Sequence, residues 1–308
     1  MRYFLLHSYH FLIFKREGKV LTYYIDEFKS HLLYEKRVSK NTFENYIRDV
    51  NAFLTFKSYS AFPSGIDIDE FQKYLMNIGK SKSTVLRTSA SLRCYFNFLH
   101  KRHLIDNLPS GNKIKSDPQK MPEILTVDEM ERLLSSPDST DFKGLRDKAI
   151  LETFYATGIK ASELISIKVA DVNLNLGYIK LNSGGKERIL PMYQRAVKSL
   201  YDYLKFTRNA LAFNDDDYLF LNMSGSPLTR QGLWKIIKAY AEKTGIDKQI
   251  TPHTIRHSFA AHLVENGAGI KDVKDIMGFS DISSARVYSE IFKSKYTKAY
   301  NRFHPLSK

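Results

Sequence analysis

The apolar positions of the first third of the chain, from about Val20 to Leu104, recur at helical spacing. Phe43, Tyr46, Ile47, Val50, Phe53 and Leu54 fall at i, i+3, i+4, i+7, i+10 and i+11, one face of a helix that Ser39 would cap. An earlier helix carries Tyr24, Phe28, Leu32 and Leu33, and a third carries Ile68, Phe71, Leu75 and Ile78. A fourth, from about Ser83 to His100, has Val85, Leu92, Tyr95, Phe96 and Leu99 as its stripe. At this spacing the aromatics are expected in a core rather than stacked on bases.

The pattern then changes. Asn107 to Pro122 is rich in Pro, Gly, Ser, Asn and Lys without an apolar period, which predicts a linker. Beyond it, Thr126-Val127-Asp128-Glu129 is a capping box, and a long apolar helix follows Gly144 and ends near Ala156-Thr157-Gly158. Tyr178–Leu181 and Arg188–Pro191, alternating runs around Gly184-Gly185, predict a β-hairpin, and Tyr218–Leu221 a further strand. From Thr229 onward the chain is mostly helical. At the other end, Tyr3 to Phe14 is apolar but too short to span a bilayer, and no small-residue cleavage site follows it. Residues 1–19 are read as an N-terminal extension, with a membrane-surface segment as the alternative.

Within the helical C-terminal part, one stretch carries chemistry. Thr251 suits an N-cap, Pro252 suits the first helical position, and a helix starting there puts His253 and Arg256 on one face of its first turn. The free N–H groups and partial positive charge of a helix start, joined by an imidazole and a guanidinium, describe a phosphate site. His253 and His257 are four apart, but Thr254 stands where the metalloprotease pattern needs Glu, so no metal site is expected.

Charge strengthens the phosphate reading. Lysine and arginine total 47 against 33 acids, a net +14; residues 1–110 hold 17 bases and 10 acids, so both parts are about +7. Two basic parts favour a polyanion gripped from two sides. Lys80, Lys82, Arg87 and Arg93 cluster around the fourth helix, either as a solvated face or as phosphate contacts. The composition, 43% hydrophobic and 26% charged, argues against general disorder. A single cysteine, Cys94, excludes an internal disulfide and suits the cytosol.

His253-x-x-Arg256-His257, then Met277-Gly278-Phe279-Ser280, then Tyr288 nine residues after Phe279, together resemble the signature of the tyrosine recombinases (phage-type integrases), above all the Xer-type members. The likeness extends from about residue 20 to Pro305. It implies a mainly α fold with a small antiparallel β-sheet, built as a helical core-binding domain and a mixed α/β catalytic domain. The boundaries expected are a SAM-like DNA-binding domain over 20–108, a linker over 109–122, and a catalytic domain over 123–308 ending in a helix exchanged between subunits.

The resemblance also implies roles. Tyr288 would attack phosphorus and form a 3′-phosphotyrosyl ester, Arg256 would hold the non-bridging oxygens, and His253 would serve as acid or base. The family's first arginine corresponds to Lys160, in Ala156-Thr157-Gly158-Ile159-Lys160-Ala161-Ser162-Glu163-Leu164, a point charge in place of a fork. Its hairpin lysine corresponds to Ser183, leaving Lys186 and Lys180 as nearby candidates. Its third-motif His or Trp corresponds to Phe279, which can only buttress the tyrosine; His257 is expected to support its neighbours. The implied function is site-specific recombination of DNA, for integration or for resolving chromosome or plasmid dimers. The alternative is a DNA-binding member with weak, partner-dependent or lost cleavage, because three positions depart from the pattern. Expected partners are duplex DNA and further subunits, a tetramer on two sites and a monomer or weak oligomer when free. The expected setting is the cytoplasm, with no cofactor and no membrane.

Overall fold

A computed structural model describes residues 24–57, 65–109, 111–112, 114, 121–183, 186–212, 217–279 and 281–291. The chain divides into two compact units, Met1–Gln119 and Lys120–Lys308. The expectations for residues 1–19, for Ser280, and for the exchanged helix at the end of the catalytic domain lie outside the described residues, as do the side chains of Ser183 and Lys186.

The first unit is helical: α1 (Ile25–Ser30), α2 (Lys40–Phe56), α3 (Gly65–Asn77) and α4 (Lys82–Lys101). Its core joins the four stripes through Phe28, Leu32, Val50, Phe53, Phe71, Val85, Leu92, Tyr95, Phe96 and Leu99, all essentially buried. Ser39 caps α2 by accepting from Thr42 N at 3.2 Å, and Ser81 caps α4, which starts one residue before the expected Ser83, by accepting from Thr84 N at 3.3 Å. Leu33 departs from its stripe. A π-helical turn over His31–Glu35 extends α1, and its wider winding carries Leu33 out to 45% exposure. Part of the stretch read as a linker is docked: Asn112 donates to both carboxylate oxygens of Asp69, each at 2.6 Å.

The second unit holds α5 (Val127–Ser135), α6 (Phe142–Thr157), α7 (Ala161–Leu164), β1 (Val172–Asn173), β2 (Tyr178–Ser183), β3 (Lys186–Pro191), α8 (Gln194–Asp202), α9 (Arg230–Thr244), α10 (Pro252–Glu265) and α11 (Ile270–Met277). Residues 283–291 are also helical. The sheet is antiparallel in the order β1-β2-β3, with Lys180 opposite Ile189 and Ser183 opposite Lys186. The two-residue β1 is too short to leave a periodic signal. Tyr218–Leu221 is not a strand of this sheet. It forms isolated bridges, Lys168 to Tyr218 and Leu221 to Pro227, and buries Leu219, Phe220 and Leu221, so its apolar run reflects core packing.

α6 is buried nearly all round and runs through the main core. α10 lies between that core, reached by Ile255, and a smaller one formed by Ala260, Val264, Val273, Met277, Ala285 and Tyr288. Buried polar groups fix its orientation. Leu125 N donates to Ser258 Oγ at 2.9 Å, and Leu125 O lies 2.9 Å from His262 Nε2. A carbonyl only accepts, so Nε2 carries the proton and Nδ1 accepts from the Tyr155 hydroxyl at 2.8 Å. Two segments distant in sequence, at Leu125 and Tyr155, thereby set the angle at which α10 presents its first turn.

Candidate active site

The first turn of α10 is built as its sequence implies. Thr251 Oγ1 accepts from Thr254 N at 3.1 Å, Thr254 Oγ1 accepts from Thr251 N at 3.1 Å, and Pro252 occupies the first turn. His253 is exposed there, while Arg256 is turned inward and buried.

Arg256 is held by two helix ends. α6 closes on Gly158 (φ +56°) and α11 on Gly278 (φ +63°), the left-handed geometry that glycine adopts at little cost. Arg256 Nη1 donates to Gly158 O at 2.5 Å and Nη2 to Met277 O at 2.7 Å. Both carbonyls lie at C-terminal, partially negative helix ends, which favours the cation. Burying an unpaired guanidinium would cost several kcal/mol. Two hydrogen bonds from a charged donor return roughly 1.5–3 kcal/mol each, so the arrangement is near balance and adds little stability. Burial is also the largest influence on its pKa, lowering it to about 10, so Arg256 stays charged at neutral pH. A fork fixed on two carbonyls, with two of its five N–H groups used, leaves donors for another oxygen acceptor.

Tyr288 comes to the same place. Its side chain is 1% exposed, and its hydroxyl lies 2.7 Å from His257 Nδ1. Phe279 bridges the two: its ring stacks on Tyr288 at 6.5 Å between centroids, and the Arg256 guanidinium carbon lies 5.2 Å from its centre. Burial pushes the phenol up to about 12, against the opposing pull of Arg256. Burial, then His253 and Arg256, hold the His257 imidazole below its ordinary value. The pair at neutral pH is therefore a protonated phenol beside a neutral imidazole.

The other expected residues are spread around this centre. Lys160 follows Gly158 by two residues; its ammonium is half-exposed and 3.9 Å from Glu163 Oε1. Lys180 is exposed and ion-paired across the hairpin with Glu187 at 2.9 Å, and that hydrogen bond raises its pKa, which makes it a poorer acid. The His253 ring stands 6.3 Å from that of His257. Glu163 and Arg188 were given no role from the sequence, yet Glu163 Oε2 accepts from Lys160 N at 2.8 Å and from Arg188 Nη2 at 2.7 Å, in the same cluster. In the first unit, Lys82 and Arg93 are exposed on one side of α4 and Lys80 is exposed just before it. Arg87 is ion-paired with the buried carboxylate of Asp49 at 3.0 Å.

This geometry can be set beside known proteins. Residues 123–295 match the phage integrase family, and residues 25–103 match the phage integrase N-terminal SAM-like domain. The chain belongs to the tyrosine recombinase family. Its members are DNA-cleaving and rejoining enzymes that carry out site-specific recombination. The chain is 40% identical over 291 residues to the tyrosine recombinase XerD of Listeria innocua, covering 91% of this chain and 98% of that protein. It is 37% identical over 289 residues to XerD of Staphylococcus haemolyticus, with the same coverage. Among solved structures, it resembles the XerA recombinase at 26% identity (TM-score 0.53, 92% of this chain and 99% of that one). It shares the fold of XerH, solved with a palindromic difH substrate after cleavage, at 21% identity (TM-score 0.71, 84% and 79%). The fold is the expected one, a SAM-like helical domain followed by a mainly helical catalytic domain with a small antiparallel sheet. Among the described residues, no helix is long and apolar enough to cross a membrane, and no group of three or more His, Cys, Asp or Glu could hold a metal ion.

Proposed function

We propose that this recombinase cuts and rejoins duplex DNA with Tyr288 as nucleophile, Arg256 as the phosphate-holding fork and His257 as the proton acceptor for the phenol. The observation that carries the reading is the 2.7 Å contact between His257 Nδ1 and the Tyr288 hydroxyl, with the Phe279 ring packed against both that phenol and a buried guanidinium. Tyr288 Oη would bond to phosphorus as its proton passes to Nδ1, and the bond from phosphorus to the 5′ oxygen would break. The 5′ oxygen leaves with a proton, for which exposed His253 is the candidate donor. Arg256, aided by Lys160 at the rim, stabilises the charge gathering on the non-bridging oxygens. The phosphotyrosyl ester keeps the energy of the broken bond, so a second strand's 5′ hydroxyl can reverse the step without ATP.

Exposed Lys80, Lys82 and Arg93 would grip the duplex through its phosphates, with Arg87 kept for Asp49. Four subunits on two duplexes in the cytoplasm complete the reading, with integration or dimer resolution as outcomes of one chemistry. A plasmid carrying two copies of a site that the protein selects from random duplexes tests it. Deletion or inversion between the sites is expected with the native chain and not with Tyr288→Phe. Duplex binding with no rearrangement and no strand cleavage would favour a DNA-binding member without cleavage.

A further inference from the structure

Two guanidinium groups meet the turn that closes α11. Arg256 donates to Met277 O on one side of that turn and lies over Phe279 on the other. Arg188, from β3, lies against Gly278 between them: a Cβ placed on Gly278 would fall 1.7 Å from Arg188 Nη1. Arg188 also donates to Glu163, which caps the backbone N–H of Lys160, two residues past the Gly158 carbonyl that accepts from Arg256. Arg256 thus bonds to both turns, while Arg188 bonds to the first through Glu163 and packs against the second at Gly278.

Their anion needs restraint. Glu163 is buried, and its Oε1 has no hydrogen bond; the nearest cation described for that oxygen, Lys160, is half-exposed and 3.9 Å away. A carboxylate with an unbonded oxygen in a partly dry site attracts any neighbouring cation strongly. Arg256 is within its influence, since after burial the next effects on its pKa include a raising one from Glu163 and a lowering one from Arg188. We propose that Arg188 is a positioning residue for strand cleavage: by pairing with Glu163 and filling the space at Gly278, it keeps the carboxylate from capturing Arg256, whose fork stays on its two carbonyls and faces the scissile phosphate. This rests on Arg256 holding phosphate, as proposed above.

The test uses the full chain and a duplex selected by it from a randomised pool, nicked beside the cleaved phosphate so that the covalent adduct accumulates. Single-turnover adduct formation and duplex affinity are measured for the native chain, Arg188→Ala, Glu163→Gln and the double variant. Arg188→Ala is expected to slow adduct formation by roughly a hundredfold. Removing the carboxylate charge as well is expected to restore the double variant to within about tenfold of Glu163→Gln, a coupling that a general loss of packing would not produce. Should Arg188→Ala melt below the assay temperature, Arg188→Met, which keeps the stem, enters the same comparison. Arg188→Ala cleaving at the native rate, or a folded double variant no faster than Arg188→Ala, overturns the proposal. A native chain that binds the duplex and forms no adduct overturns the parent reading and this one with it.

Discussion

The Tyr288 hydroxyl lies 2.7 Å from Nδ1 of His257, a residue 31 positions earlier in the chain. With the phenol's pKa pushed up to about 12 and the imidazole's held down, the proton rests on oxygen and the acceptor is ready beside it. Losing that acceptor removes the base beside the attacking phenol and should slow cleavage. His257→Phe is expected to reduce single-turnover cleavage by roughly 10²–10⁴-fold while duplex affinity stays within about threefold. Quench-flow or manual time courses on a nicked duplex check it; native-like rates would assign the proton elsewhere.

The same pair sets a pH dependence. His257 must be neutral to accept, and its pKa lies below the ordinary imidazole value, so cleavage should fall on the acid side, as pH drops below about 6.5. Stability moves in the same direction: the unfolded chain protonates His257 first, so folding loses this contribution as pH falls from about 6.5 toward the lower folded value. Rate and melting profiles from pH 5 to 9, compared with His257→Phe, check both signs.

Arg256→Lys keeps a charge but cannot reach both Gly158 O and Met277 O as the fork does. Its expected cost is roughly a hundredfold or more in cleavage rate. An acceptor left buried and unbonded adds roughly 1–3 kcal/mol of destabilisation, read by denaturant unfolding.

Lys160→Arg should act in the opposite sense. The ammonium stands half-exposed at the rim beside Glu163, with room for a larger head. A fork there offers phosphate two donors in place of one point charge, and an increase of about tenfold in cleavage rate is expected. An unchanged rate would mean that residue 160 does not reach the phosphate.

Much of this was legible in the chain because its causes are local. The Thr126 and Glu129 capping box, the Ser39 cap and the Thr251-Pro252 start are all read from adjacent residues, and the structure forms each one. The hairpin around Gly184-Gly185 also followed from alternation and a turn signal, and β2 pairs with β3 along its length. What escaped is set by tertiary contact. Leu33 leaves its stripe because a π-helical turn alters the winding, and Tyr218–Leu221 looks like a strand because burial, not pairing, selects its apolar run. Glu163 and Arg188 are 25 positions apart, and nothing in the sequence shows that they pair; only the fold brings them together. His257 was read as support because the helix face alone does not reveal that the phenol returns to it.

The most direct measurement is to trap the full chain on its selected, nicked duplex, digest it, and identify the residue bonded to DNA by mass spectrometry. A 3′-phosphate ester on Tyr288, absent in Tyr288→Phe at unchanged duplex affinity, is the expected result. Tight binding with no covalent species, or an ester on a different residue, would contradict it.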